Sequence, residues 1–415
     1  MNPASGDRRR RPEGDLSERM KRLPGLDLLR AIAIIWVLFF HAGTLELGWA
    51  WPPITKIGWM GVDLFFVLSG FLIGRQWLSS LETNRSPFRE FYLRRAFRIL
   101  PAYLVVVAVY FAIPATQERS AIQPLWQFLT FTENLFIDVS SGKTFSHVWS
   151  LCVEEHFYVA FPLIAWTLWK RPARATVAAC LIVLFGGMAL RAYQWSSFDP
   201  GAENAGQLYY ERIYYPTLPR LDGLLVGVVL AVTERTRAWA TVTKRPLMIL
   251  GLGVITLAGS VFLFDGDSSA ASTIVGYPLL SVAMGCFVAA AVSMRVNLPG
   301  AAFIATISYS LYLSHKMAFF LLRESAGAVL KDHGVLAIFA YAAIALLFGV
   351  GLHFGIERPF LNLRSRISLS PRERVGVRAD ELEVRPSPLP LSPRRRERET
   401  RSRQRLRLEA RVRLE

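Results

Sequence analysis

A chain of 415 residues could hold two or three soluble domains on length alone, but 52% apolar content with 11 Trp and 27 Phe points to lipid as the solvent. The formal net charge is +16, of which the stretch after residue 366 supplies +6, with 14 Arg set against 8 Asp and Glu. The basic excess belongs mostly to membrane topology and a tail, which argues against nucleic-acid binding.

Residues 1–22 read as a basic, disordered N-terminus. After them, windows of about 20 apolar residues define ten candidate spans, so the predicted fold class is an all-α polytopic membrane protein. The spans begin near Leu26, Ile57, Ile99, Val148, Arg174, Pro219, Pro246, Val275, Ala302 and Val335. The first is too long for the apolar core of a signal peptide and lacks a small-residue cleavage site, so it is expected to remain as a helix. Lys and Arg gather on the side of the N-terminus, which predicts both termini in the cytoplasm of a bacterial inner membrane. The integral-membrane domain is assigned to 23–366, with long outer segments at 117–145 and 193–218. Residues 367–415, rich in Arg, Pro and Ser, read as a disordered tail without a catalytic role. Cys152, Cys180 and Cys286 stand singly in apolar runs, a spacing that suits buried small side chains rather than metal or disulfide chemistry.

Ionisable groups inside a bilayer are costly and are kept for a partner or a function. In the first span Arg30, Ile34, Val37 and His41 fall on one helical face, which sets Arg30 and His41 about 16 Å apart along the axis. The second span, "GVDLFFVLSGFLIG", carries Asp63 near its outer end and places Gly70 and Gly74 on one face, where small residues permit close helix approach. The fourth, "HVWSLCVEEHFYVAFP", aligns His147, Glu154 and Tyr158 and turns Glu155 away, so Glu154 is the stronger candidate acid. In the ninth, "ISYSLYLSHKM", Ser308, Tyr312 and His315 align. Arg220 and Asp222 enter the sixth from the outside. On the inner side "FYLRRAFRILPAY" presents Arg94, Arg95 and Arg98, a set of forked donors that matches a polyphosphate and equally serves as a positive-inside anchor. His41, Asp63, Glu154 and Arg30 also have a plain structural reading as helix-pairing groups, and His156, His333 and His353 are read as structural outright.

Five stretches in order, "LDLLRAIAIIWVLFFH", "GVDLFFVLSGFLI", "FYLRRAFRILPAY", "HVWSLCVEEHFY" and "ISYSLYLSH", resemble the successive signatures of the membrane-bound acyltransferase family 3, which includes bacterial O-antigen, peptidoglycan and exopolysaccharide O-acetyltransferases. The resemblance runs from about Leu23 to Leu363. It implies a ten-helix enzyme that takes an acyl group, usually acetyl, from acyl-coenzyme A and places it on a hydroxyl of a cell-surface or lipid-linked glycan. Acyl-coenzyme A would be a co-substrate, with no permanently bound cofactor and no metal. The family's Arg and His of the first span fall on Arg30 and His41, its Arg-x-x-Arg on Arg95 and Arg98, and its acid on Glu154. The chain departs from the family at Leu28, where Gly is frequent, and at His156, where Gln is.

On this reading His41 is a general base, suited by an imidazole's near-neutral range, and Glu154 or Asp63 orients its ring. Arg94, Arg95 and Arg98 take the phosphates of coenzyme A, while Ser69, Tyr309 and His315 line the substrate pocket. Two other classes share some of these features. A transporter would also keep mid-membrane charges but typically shows internal repeats, which the two halves of the chain lack. A non-catalytic glycan-binding membrane protein has no need of His41 together with the full Arg-x-x-Arg.

Overall fold

The structure is a computed structural model, and it describes residues 23–43, 53–83, 87–138, 143–265, 269–294, 296–330 and 333–368. The basic N-terminus 1–22 and nearly all of the tail 367–415 lie outside the described residues. Two compact units are separated after Asn362, and the second, Leu363–Glu415, is described only as far as Ser368.

Numbering helices of more than ten residues, the chain runs through α1 (Pro24–Gly43), α2 (Gly61–Thr83), α3 (Pro87–Ala112) and α4 (Trp149–Trp169). It continues through α5 (Ala173–Ser196), α6 (Asp222–Thr233), α7 (Pro246–Phe264), α8 (Tyr277–Ser293), α9 (Ala301–Leu330), α10 (Gly334–Leu352) and α11 (Arg358–Ser368). The described residues contain no strand, in keeping with an all-α membrane protein. Local signals account for the starts of several helices. Pro24 opens α1 with Asp27 in its first turn, and Pro246 opens α7; a proline there lacks only an N–H that the helix would leave unpaired. Pro101 and Pro162 sit inside α3 and α4, which neighbouring helices make tolerable in a membrane bundle.

Each of the ten sequence spans falls on one of α1 to α10, but only eight helical segments among the described residues are long and apolar enough to cross a membrane. The sixth span yields α6, which is apolar yet only 12 residues long. The ninth yields α9, whose 30 residues interrupt their apolar run with Ser308, Ser310, Ser314, His315 and Lys316. The expectation of ten crossings is therefore not reached by length and apolarity alone.

Exposure separates the lipid side from the core. Ile182 on α5, Phe262 on α7 and Phe339 on α10 are about 70% exposed or more, as expected of surfaces that meet acyl chains rather than protein. The centre is built by α1, α2, α6, α8 and α9. There the glycine pair of α2 does what its spacing suggests: a Cβ at Gly70 would lie 2.1 Å from the Leu224 carbonyl oxygen, and one at Gly74 2.8 Å from the Ala231 Cβ. A Cβ at Gly227 of α6 would in turn lie 2.3 Å from the Val67 carbonyl oxygen, so α2 and α6 touch backbone to backbone.

Two buried ion pairs tie the helices around this seam. Arg220 donates to both oxygens of Asp63, at 3.0 and 3.1 Å, and its guanidinium lies 4.1 Å from the ring centre of Tyr277 and 4.8 Å from that of Tyr214. Arg191 of α5 donates to Asp222 at 2.7 and 3.3 Å and to the Pro219 carbonyl. All four side chains are buried, so each charge is compensated by its partner and by aromatic faces rather than by water.

Candidate active site

α1 ends at Gly43, and His41 in its last turn points toward α9. His315 Nε2 lies 3.1 Å from His41 Nδ1, and their ring centres are 4.8 Å apart. His147, just before α4, completes a group of three rings, 4.8 Å from His315 and 6.0 Å from His41. Among the described residues no three His, Cys, Asp or Glu side chains are placed to hold a metal ion, these three rings included.

The hydrogen-bond network assigns the protons of the pair. His315 Nδ1 faces two carbonyl oxygens, Tyr312 at 2.8 Å and Leu311 at 3.2 Å. A carbonyl only accepts, so Nδ1 carries the hydrogen and Nε2 of the neutral ring is the acceptor. His41 Nδ1, which also lies 3.1 Å from the Val37 carbonyl, therefore donates, and the lone pair of His41 belongs to Nε2.

The floor of this group is hydrogen-bonded to the fourth helix. Tyr312 OH lies 2.7 Å from the His147 carbonyl and 2.6 Å from Ser150 Oγ. Beside it Lys316 reaches Glu118 at 3.2 Å and Ser146 at 3.0 Å, and Glu118 accepts the Phe145 N–H at 2.8 Å. These contacts bind the outer segment 117–145 to α9 next to the histidines.

The structure corrects the expected partner of His41. Asp63 is consumed by Arg220, because the two arrive from α2 and the turn before α6 at the same buried level. Glu154 sits about two helical turns, some 10 Å, beyond His147 and serves a different cluster. Ser69 Oγ donates to Glu154 at 2.6 Å, Tyr158 OH donates to it at 3.0 Å, and Ser69 and Tyr158 lie 3.3 Å apart. The alignment of Glu154 with Tyr158 is as the sequence spacing suggests, but the ring beside His41 is another histidine, His315.

Ser69 thus joins the Glu154 cluster, next to the guanidinium of Arg95. Arg95 donates to Gln76 Oε1 at 2.8 Å and lies 5.4 Å from the centre of the Tyr158 ring. Arg98 is ion-paired with the buried Glu357 and lies 6.0 Å from the ring centre of Tyr309, whose hydroxyl donates to the Ile99 carbonyl at 2.9 Å. Arg94 pairs with Glu90 one turn earlier. Arg30, a third exposed, lies 3.7 Å from Asp27, at the opposite end of α1 from His41. The guanidiniums of Arg94, Arg95 and Arg98 therefore do not converge as one cradle: they are met by Glu90 of α3 itself, by Gln76 of α2 and by Glu357 beyond α10.

Sequence reasoning missed Glu357, the partner of the histidine it read as structural, His353. Glu357 accepts from Ser310 at 2.7 Å and from His353 at 2.8 Å besides meeting Arg98. The i, i+4 spacing of His353 and Glu357 was available as a signal, but its link to Arg98 was not. His156, the departure from the family pattern, faces Thr217 Oγ1 at 2.6 Å.

An all-helical, multi-pass membrane protein with ionisable groups gathered inside its bundle is the class that fold and site define. The model of the acyltransferase 3 family, described as an acyltransferase domain, matches residues 23–354, and the chain belongs to that family. It is 28% identical to the peptidoglycan O-acetyltransferase OatA of Listeria monocytogenes over 323 residues, 71% of this chain and 49% of that protein. It is 29% identical to the O-acetyltransferase OatA of Staphylococcus aureus over 318 residues, 71% of this chain and 50% of that one. The chain spans about half the length of these relatives. No solved structure matches it.

Proposed function

We propose that the chain is an O-acyltransferase of the bacterial inner membrane, with both termini cytoplasmic, that moves an acyl group, acetyl first of all, from acyl-coenzyme A to a hydroxyl of a cell-surface or lipid-linked glycan. The observation that carries this is the His315–His41 hydrogen bond, which leaves the lone pair of a positioned imidazole on His41 Nε2. In the reaction the acceptor O–H gives its proton to that nitrogen as its oxygen forms a bond to the thioester carbonyl carbon. The C–S bond then breaks, and the leaving thiolate takes up the proton that His41 Nε2 received, which returns the imidazole to its neutral form. The imidazolium formed on His41 is held through Nδ1–H on His315 Nε2, a neutral acceptor in the place where a carboxylate orients many catalytic histidines.

At the other end, Arg95 and Arg98 offer forked donors for the diphosphate of the donor, which would take them from Gln76 and Glu357. The names of the two relatives, a peptidoglycan O-acetyltransferase and an O-acetyltransferase, support a glycan acceptor and an acetyl group. Mass spectrometry of surface glycans tests the reading in a strain lacking the chain, complemented with the native protein or with His41→Ala. Ester-linked acetyl groups should return only with the native chain. Identical glycans in all three strains would sink it. Purified protein given labelled acetyl-coenzyme A separately tests the donor.

A further inference from the structure

Beside the histidines the outer segment buries a set of polar groups without hydrogen-bond partners. Glu133 and Asn134 are completely buried, and Gln127, Lys143 and His147 nearly so. Both carboxyl oxygens of Glu133, Lys143 Nζ, the side-chain carbonyls of Gln127 and Asn134, and both ring nitrogens of His147 have no partner. The amide nitrogen of Asn134 is fixed, donating to Tyr215 O at 3.1 Å and to Thr217 Oγ1 at 2.9 Å, so its carbonyl has a set direction. Lys143 Nζ lies 5.3 Å from the centre of the Tyr215 ring, which gathers Asn134 and Lys143 around one tyrosine. Native proteins seldom leave so many buried polar atoms unmet in one place without water or a ligand to meet them.

The backbone around the set is held in an unusual shape. Phe131 and Phe145 both adopt left-handed conformations, φ 55° and 62°, one on each side of Glu133 and Lys143. Bulky residues avoid that region unless packing over-determines it. Here it does: Phe131 stacks on Tyr103 at 4.6 Å, and Phe145 packs against Tyr110 at 4.8 Å and against His147 at 5.1 Å.

The chemistry of the groups selects the occupant. An apolar ligand would leave every group unmet, a simple anion would meet the Glu133 carboxyl, and a simple cation would meet Lys143. A hydroxyl both donates and accepts, so a molecule bearing several hydroxyls serves carboxyl and amide oxygens, an ammonium and an imidazole together, with aromatic faces alongside. We propose that Gln127, Glu133, Asn134, Lys143 and His147 form a subsite for a polyhydroxylated saccharide, which His147, 4.8 Å from His315, connects to the His41 pair. That this saccharide is the acyl acceptor rests on the function proposed above; that it binds does not.

The test is direct binding to the purified full chain in detergent, with three probes: an N-acetylglucosamine–N-acetylmuramic acid disaccharide, chitotriose and maltotriose. At least one should bind saturably. Glu133→Gln and Lys143→Gln should each weaken it tenfold or more while melting within a few degrees of the native protein. Where a variant does not fold, the native chain still reports: the bound saccharide should protect Lys143 from reductive methylation, read by mass spectrometry. Absence of saturable binding for all three probes, unchanged affinity in both variants, or a Lys143 methylated equally with and without saccharide would each overturn the proposal. Binding that depends on Glu133 and Lys143 in a protein that transfers no acyl group would instead remove the acyltransferase reading and leave the subsite standing.

Discussion

The two ends of the bundle differ in how far their polar groups are met. At the Arg98 end three arginines of α3 have side-chain partners, Arg94 in Glu90, Arg95 in Gln76 and Arg98 in a buried carboxylate that also holds Ser310 and His353, and the Arg95 Nε alone of these guanidinium groups is buried without one. At the His41 end the histidine pair stands beside buried groups that nothing meets. Buried polar atoms without partners cost free energy, so a site that keeps them is built for something that arrives, whereas a closed ion pair must be exchanged before a ligand enters. On the proposed function, a donor at the Arg98 end would compete with the protein's own carboxylate, and an acceptor at the His41 end would meet groups that have no partner.

The largest effect should come from the pair itself. His41→Ala should lower acyl transfer by about 10² to 10⁴ in rate with the protein still inserted and folded, because it removes the proposed base. His315→Ala should cause a smaller loss, since Nδ1–H of His41 then turns to the Val37 carbonyl and the ring loses only its second anchor. Single-turnover rates on variants of matched melting temperature decide this. Near-native transfer by His41→Ala would make the histidines structural and erase the contrast between the ends.

Asp63 distinguishes stability from chemistry. Asp63→Asn leaves Arg220 buried against Tyr277 and Tyr214 without its counter-ion, and breaking such a pair costs about 3 to 5 kcal/mol. The expected result is a sharply lower melting temperature with the rate per folded molecule kept. A full melting temperature with a collapsed rate would return Asp63 to the role of orienting His41.

How far these roles could be read beforehand follows from where the information lies. Residues of one helix are related by its period, so the shared face of Glu154 and Tyr158 and the close approach at Gly70 and Gly74 were legible. Partners on different helices are not related by any period. Asp63 with Arg220, His41 with His315 and Arg98 with Glu357 are 157, 274 and 259 residues apart, and only the assembled bundle brings them together. Spacing alone points to Glu154 or Asp63 as the orienting acid, while the packing gives one of them to Ser69 and the other to an arginine.

Exchange at the Arg98 end can be sharpened with two opposite changes. Arg98→Ala should weaken acyl-coenzyme A binding by about 1.5 to 3 kcal/mol, the value of charge-assisted hydrogen bonds. Glu357→Gln keeps hydrogen-bonding atoms toward Ser310 and His353 but removes the competing charge, so it should tighten binding of the same donor. Equilibrium binding of acyl-coenzyme A to both variants is the measurement. Unchanged affinity in both reduces the cluster to a topological anchor.

The comparison also carries a pH dependence at the His41 end, outside the membrane spans. Burial pushes the Glu133 carboxyl up from 4.5 to about 8, against the opposing pull of Lys143 and Lys316, and burial pushes Lys143 down from 10.5 to about 8. For Glu133 the folded protein holds the proton more tightly than the unfolded chain, so its contribution to stability is full below the ordinary carboxylate range and is lost as pH rises to about 8. For Lys143 the sign reverses: its contribution is full above the ordinary lysine range and is lost as pH falls to about 8. Compared with Glu133→Gln, which mimics the protonated acid, the native protein should lose melting temperature between pH 5 and 8 and run parallel above. Compared with Lys143→Gln it should gain between pH 8 and 10.5. Parallel curves for Glu133→Gln across the whole range would mean that the carboxyl is already ionised and served at neutral pH, and the unmet groups of this end would then be fewer than the structure shows.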